Sequence, residues 1–112
     1  MNSDNDITHL IERLEAFEER CGIRLEALFA FIDGGAPIIL RVNGELHPRE
    51  GTKLQKSIRL RVDAYDTAGR LVATESESFD CDDFFGFQSF SILHIGCPTE
   101  RISKIRVYPN FS

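Results

Sequence analysis

The acidic cluster at residues 80–83 holds the side chains whose types most directly suggest chemistry. Three aspartates around one cysteine offer the oxygen ligands that calcium prefers. The EF-hand pattern fails, because the sixth position from Asp80 is Phe85 rather than glycine and no glutamate closes the loop. We expect the neighbouring basic loop, residues 47–56, to neutralise this cluster instead. The sequence predicts no metal and no other cofactor.

Nucleophilic chemistry would require a thiol close to a base. The chain has three cysteines and three histidines: Cys21, Cys81, Cys97, His9, His47 and His94. No pair of them has the spacing of metal ligands, and no nucleophile motif surrounds a cysteine. A Cys–His pair assembled in space is the alternative that spacing leaves open. We therefore predict a protein that is not an enzyme, with the thiols as small core or rim residues.

Four basic side chains form the second candidate site. Arg59 and Arg61 alternate along one predicted strand, and Lys104 and Arg106 alternate along another. If the two strands are neighbours, the four side chains share a positive sheet face that could dock an acidic partner or the chain's own acidic helix. The simpler interpretation, which we favour, is a solvated sheet surface with local ion pairs.

These basic residues depend on a β-hairpin at residues 57–79. Apolar and polar residues alternate from Ile58 to Ala64, which is the period of a half-buried strand. Asp66 then suits the first position of a turn, and Gly69 supplies positive φ. We predict a three-residue loop, residues 67–69, with Asp66 facing Arg70.

The hairpin register follows from that loop. It places Arg59 opposite Glu77 and Arg61 opposite Glu75, with all four side chains on the outer face. A two-residue loop would instead put the two glutamates on the core face, where burying a carboxylate is costly. Burial therefore selects the predicted register, and cross-strand ion pairs agree with it.

Residues 4–20 are predicted to form an amphipathic helix that Gly22 ends. Its apolar stripe comprises Ile7, Leu10, Ile11, Leu14 and Phe17. Ser3 or Asp6 suits the N-cap, and the remaining face is acidic. We expect Ile7, Leu10, Leu14 and Phe17 to pack on the helix's own domain, with pairing to another subunit as the alternative. They are candidate interaction residues together with Arg59 and Arg61.

The rest of the chain reads as short strands between turns. Residues 23–32 fit both a helix and a strand, and the turn signal after them favours a strand. One helix and about six strands indicate a mainly β fold, an antiparallel immunoglobulin-like β-sandwich over residues 24–110. At 112 residues, the chain 1–112 is predicted to be a single domain.

Composition narrows the class of protein. Hydrophobic residues make up 42% of the chain and the net charge is -5, which argues against generic nucleic-acid binding. The longest apolar runs are far too short to span a bilayer. The N-terminus is acidic and polar, the reverse of a signal peptide, so we expect a cytoplasmic protein with reduced thiols.

The segment from Val62 to Val72 resembles the Tyr-Asp hairpin of FxLYD-like domains, which are small immunoglobulin-like sandwiches of uncharacterised bacterial proteins. The resemblance covers at most residues 38–108. It implies the sandwich fold and an exported protein, and it brings no catalytic residue. The sequence departs from the family at residues 80–83, where the family has Pro-Gly.

The predicted fold and the absence of a catalytic motif favour a binding role. We expect a non-enzymatic interaction or assembly module that recognises a protein partner or forms a homodimer through its N-terminal helix. The alternative is a β-sandwich that binds a small ligand or carbohydrate. The absence of Trp and the presence of only two tyrosines, Tyr65 and Tyr108, count against sugar stacking.

Overall fold

A computed structural model describes residues 6–35, 37–96 and 102–112. Its elements are β1 (Ile11–Arg13), α1 (Glu15–Cys21), β2 (Ile23–Asp33), β3 (Ile39–Pro48), β4 (Ile58–Asp66), β5 (Leu71–Phe79), β6 (Gln88–Ile95) and β7 (Ile102–Phe111). The strands form two sheets that enclose one hydrophobic core. The described part of the chain is thus mainly β, a sandwich with one α-helix, as the sequence predicts.

The strand order shows which strands are neighbours in each sheet. The four-stranded sheet has the order β1-β7-β4-β5, and the three-stranded sheet has the order β2-β3-β6. The described residues contain seven strands rather than about six, and β1 runs parallel to β7. The expected antiparallel arrangement therefore holds for every pair except this one. The sequence pattern did not predict β1, because a strand of three residues is too short to show a period.

The core comes from alternate residues of the strands. On β3 every second residue is buried, and β4 follows the same period except that Asp63 on its other face is also buried. The largest fully buried side chains include Phe84, Ile23, Leu25, Leu40, Leu46, Ile58, Leu60 and Ile105. At about 25 cal/mol per Å² of apolar surface, their burial is the main stabilising contribution.

The predicted helix at residues 4–20 is wrong over most of its length. Residues 4 and 5 lie outside the described part, a 3₁₀ turn spans Thr8–Leu10, and only α1 is α-helical. Gly22 does end α1, with φ 70°. The N-terminal segment pairs with sheet edges instead, since Ile7 N donates to Ala30 O at 2.9 Å. In the described residues no helix is long and apolar enough to cross a bilayer.

Glu18 is fully buried, although the helix pattern placed it on a solvated acidic face. Arg13 donates to both of its carboxylate oxygens, at 2.8 and 3.2 Å. The backbone N–H of Leu25 donates to Glu18 Oε1 at 3.1 Å. This carboxylate therefore joins three elements, β1, α1 and β2, because a buried charge must be compensated by a counter-charge and hydrogen bonds.

Residues 23–32 are a strand, as the turn signal after them favours. Their pattern was ambiguous because the β2–β3 register shifts between Glu26 and Phe29. Ala27 adopts φ 56° at this bulge. The bulge changes the phase of burial along β2: Leu25 is buried before the bulge and Ala30 after it. Neither a pure strand period nor a helix period therefore fits the whole segment.

The loop of the central hairpin is as predicted. Asp66 N donates to Arg70 O at 3.0 Å, and Gly69 N donates to Asp66 O at 3.0 Å. Gly69 has φ 81°. Asp66 Oδ1 also accepts from Ala68 N and Arg70 N, which fixes the turn through one side chain.

The predicted register beyond the loop is wrong. It shifts by one residue next to Ala64, so that Leu60 lies opposite Glu77 and Val62 opposite Glu75. The shift turns Phe79 into the core opposite Ile58. Both glutamates then share the inner face of an edge strand, where Glu75 is exposed and Glu77 half-buried. Burial raises the pKa of Glu77.

Candidate functional site

The outer side of the four-stranded sheet gathers basic side chains from two neighbouring strands. Because β4 pairs with β7, residues that alternate along each strand fall on one surface. We call this surface the basic face; it comprises Arg59, Arg61, Lys104 and Arg106. The condition set by the sequence, that the two strands be neighbours, is met.

A hydrogen-bonded network holds Arg61 in place. Asp63 is only 4% exposed. Its Oδ2 accepts from Tyr108 Oη at 2.6 Å, and its Oδ1 accepts from Thr74 Oγ1 at 2.5 Å. Arg61 Nη2 donates to Thr74 Oγ1 at 3.0 Å and lies 3.4 Å from Asp63 Oδ1. The network spans β4, β5 and β7, so it fixes the guanidinium on the sheet surface.

The network keeps Asp63 charged. Burial alone would raise the pKa of Asp63, but hydrogen bonds from Thr74 and Tyr108, with the charge of Arg61, hold that pKa below its ordinary value. Burial and the hydrogen bond to Asp63 raise the pKa of Tyr108. At neutral pH the pair is therefore a carboxylate and a protonated phenol. Asp63 balances part of the Arg61 charge.

Tyr65 forms the apolar floor beneath the other two cations. Lys104 Nζ lies 5.3 Å from its ring centroid, and Arg106 Cζ lies 5.1 Å from it. Both distances fit cation–π contacts. Arg106 Nε also donates to Glu12 Oε1 at 2.7 Å, and this hydrogen bond lowers the pKa of Glu12. The chain's own acidic N-terminal segment thus occupies one corner of the basic face.

Helix α1 closes one end of the face. The Phe17 ring meets Tyr108 edge-on, with centroids 5.4 Å apart and planes at 67°. Arg20 Nη2 donates to Asn110 Oδ1 at 3.1 Å. Arg59, opposite Asn110 in the β4–β7 register, is exposed and makes no ion pair within the described ranges. This leaves Arg59 as the most available cation of the face.

The four apolar candidate residues of the N-terminal segment contribute mainly to their own domain. Ile7 is buried in the core, and Leu10 is half-buried against it. Leu14 and Phe17 are half-buried. Of the six candidate interaction residues, only Arg59 and Arg61 therefore lie on the basic face, with Phe17 at its edge.

Sequence reasoning missed Asp63 and Thr74 as partners of Arg61, and Tyr108 as a donor to Asp63. The sequence did predict Asp63 as an outward-facing residue of its strand, but its partners depend on the order of strands and on the hairpin register. The shifted register puts Thr74 opposite Asp63. The sequence contained one indication of the shifted register: Ser76 and Ser78 of β5 fit an outward face better than an inward one.

One group of donor atoms lies on the outer side of the three-stranded sheet. Glu26, Glu45 and His47 have ligand atoms within 4.8 Å of one another. His47 Nε2 is 3.0 Å from Glu45 Oε1 and 4.0 Å from Glu26 Oε1. The guanidinium of Arg24 pairs with Glu26. The two carboxylates face each other across β2 and β3, and Arg24 already balances one of them.

The segment that follows the acidic loop, residues 80–83, contacts the basic loop, residues 47–56: Gly86 N donates to Thr52 O at 2.8 Å. Neutralisation by ion pairs is not what holds them, since no ion pair joins the two loops, both of which are described. Lys53 instead lies over the ring of Phe85, 5.7 Å from its centroid. The contact is therefore made by backbone and aromatic groups.

Two depressions bear on small-ligand binding. The larger, about 610 Å³ and wide open, is lined by Ala27, Asn43, Gly44, Glu45, Glu77, Ser89, Phe90 and Ser91. The smaller, about 220 Å³, lies between β5 and β6 beside Glu75 and His94. His94 is buried, with Nε2 3.0 Å from Val62 O, and its Nδ1 has no partner in the described part of the chain.

His94 makes stability depend on pH. Burial holds its pKa below the ordinary value, against opposing effects of the Val62 carbonyl, Glu75 and Asp63. The unfolded chain therefore binds the proton more readily, and stability present above about pH 6.5 should fall as pH drops below it. Denaturant titrations from pH 8 to 5 should show this slope, and His94→Gln should flatten it. An unchanged slope in that variant, or the same flattening in exposed His9→Gln, would contradict the assignment.

Comparison with known proteins gives a fold likeness and little more. No family model matches the chain, and no curated protein matches it. Among solved structures, a DUF1425 family member from Shewanella sp. pv-4 is similar, with TM-score 0.49, 15% identity, and coverage of 80% of this chain and 78% of that one. A putative beta-galactosidase from Bacteroides fragilis has TM-score 0.41 and 13% identity, and the match covers 81% of this chain but 16% of that one. Neither likeness is evidence for a shared function.

Proposed function

We propose that this chain is a non-enzymatic interaction module that docks an acidic protein segment on its basic face. The observation that carries the proposal is that four cations line one sheet surface of a chain whose net charge is -5, and that among the described residues only two of them are balanced there, Arg61 by Asp63 and Arg106 by Glu12. Such a local reversal of sign steers an acidic partner to one surface and disfavours binding elsewhere.

Arg59 and Arg61 contribute to docking in different ways. Arg59 is exposed and free to meet a carboxylate. Arg61 is already ordered by Thr74 and Asp63, so little side-chain entropy is lost when it binds. Guanidinium groups bind carboxylates through paired hydrogen bonds, which suits a segment rich in Asp or Glu.

The non-enzymatic role is supported by how the face uses its ionisable groups. Both oxygens of Asp63 accept hydrogen bonds from Thr74 and Tyr108, which makes Asp63 a positioning group for Arg61. A cytoplasmic location is part of the same proposal, and the FxLYD-like resemblance enters it for the sandwich fold alone. Binding of a small ligand beside His94 is the second candidate function, which its unpartnered Nδ1 favours.

A labelled oligoglutamate peptide tests the docking proposal by fluorescence anisotropy. We expect saturable binding that weakens as salt is raised, since exposed charges are screened. Arg59→Glu should weaken binding about tenfold or more by placing like charge at the site. The matched control is Arg49→Glu, an equal charge change on an exposed loop outside the face.

Two results would overturn the proposal. Equal weakening by the Arg59 and Arg49 variants would mean that only net charge matters. Tighter binding of a single-stranded oligonucleotide of equal charge would mean that the partner is a nucleic acid rather than a protein.

A further inference from the structure

The outer side of the three-stranded sheet carries an unusual number of apolar residues. In an antiparallel sheet with one face on the core, the other face is ordinarily polar. Here the strands present an apolar patch of Phe29, Phe31, Ile39, Leu93 and Ile95. Ile95 is 67% exposed, and Phe29 is also exposed.

Strand pairing makes this patch continuous. Phe31, Arg41 and Leu93 form one row across β2, β3 and β6, and the next row contains Ile39 and Ile95. The rings of Phe29 and Phe31 lie side by side, with centroids 5.1 Å apart. Contiguous exposed apolar surface of this kind marks an interaction site, unlike a single exposed residue.

The patch carries one charge of each sign. Arg41 stands in the middle row, and Asp33 lies in the next row, with Arg41 Nη2 3.8 Å from Asp33 Oδ2. One positive and one negative group at the same patch suit neither a uniformly acidic nor a uniformly basic partner. They suit a surface that carries the same two charges in exchanged positions.

We propose that a second copy of this chain covers the apolar patch in a two-fold symmetric dimer. In such an interface residue i meets residue j, and j meets i. An axis passing between Asp33 and Arg41 places each Arg41 beside the other copy's Asp33. The four charges then alternate around the axis, and the apolar side chains surround them.

This inference stands apart from the proposed docking function. The dimer uses the three-stranded sheet, whereas the basic face lies on the four-stranded sheet. Both basic faces therefore stay open in the dimer. A failure of one proposal leaves the other untouched.

The apolar part is tested by sedimentation equilibrium from 5 to 500 µM. The unaltered chain should approach twice its 12.7 kDa mass with rising concentration. Ile95→Lys should keep it at the monomer mass, because a charge would be buried in the interface. Leu71→Lys is the matched control, at a 50% exposed leucine of β5 on the other sheet, and it should dimerise like the parent. Circular dichroism melts check that both variants fold.

The charge pair is tested by reversal. Asp33→Arg and Arg41→Asp should each weaken dimerisation about tenfold or more, because like charges then face each other. The double variant should restore dimerisation, since it exchanges the two charges and preserves their alternation. A monomer at every concentration, no effect of Ile95→Lys, or a double variant as weak as the single ones would each overturn the proposal.

Discussion

Replacing Glu18 with alanine is expected to lower the free energy of unfolding by about 3 kcal/mol, because it breaks a buried ion pair and leaves the buried N–H of Leu25 without an acceptor. The cost should lie at the low end for a buried pair, since Arg13 stays partly solvated when its partner is removed. Urea titration at neutral pH measures it.

The matched control is Glu15→Ala, which removes an exposed carboxylate from the same helix. It should change stability by less than about 0.5 kcal/mol. Equal effects of the two substitutions would mean that the junction of β1, α1 and β2 does not depend on the Glu18 carboxylate.

Replacing Phe79 with alanine is the second large effect, about 3–5 kcal/mol of lost stability. Phe79 is 2% exposed and meets the rings of Phe84 and Phe90 edge-on, with centroids 6.5 and 6.4 Å away. Its removal leaves a cavity between the two sheets, which the neighbouring rings fill only in part. Thermal and denaturant unfolding should both report the loss.

Phe85→Ala provides the comparison, because that ring is 69% exposed and only six residues away along the chain. It should cost less than about 0.5 kcal/mol. If the Phe79 variant were as stable as this one, the observed hairpin register would be wrong, since only that register turns Phe79 inward.

The central hairpin shows how far local sequence determines structure. Asp66 and Gly69 specify the loop through short-range hydrogen bonds and positive φ, so the loop could be predicted. The register beyond it depends on Phe79. Its burial in the core outweighs what the predicted register offers, which is full exposure of Glu75 and Glu77 on the outer face. That balance could not be judged without knowing that β5 is an edge strand, where carboxylates on the inner face still reach solvent.

In the N-terminal segment, local sequence did not determine the structure. Ile7, Leu10 and Leu14 repeat with helical spacing, yet they lie in or beside a turn and a short strand. Their backbone groups are satisfied by distant segments, as when Ile7 N donates to Ala30 O. A local period cannot reveal such partners.

The basic face was partly predictable. Alternation along each strand placed Arg59 with Arg61 and Lys104 with Arg106, and only strand order was needed to join the two pairs. The network around Asp63 also required the exact cross-strand neighbours, which depend on tertiary structure.

The position of β7 has a consequence for how the chain folds. This last strand lies between β1 and β4, and it brings Glu12 to a residue 94 positions later in the chain. During synthesis the hairpins β2–β3 and β4–β5 can form early, but the four-stranded sheet lacks an interior strand until β7 has been made. Until then one edge of β4 stays open to other chains. Strand β1, which is made before the other described strands, can therefore pair only after β7 has been made.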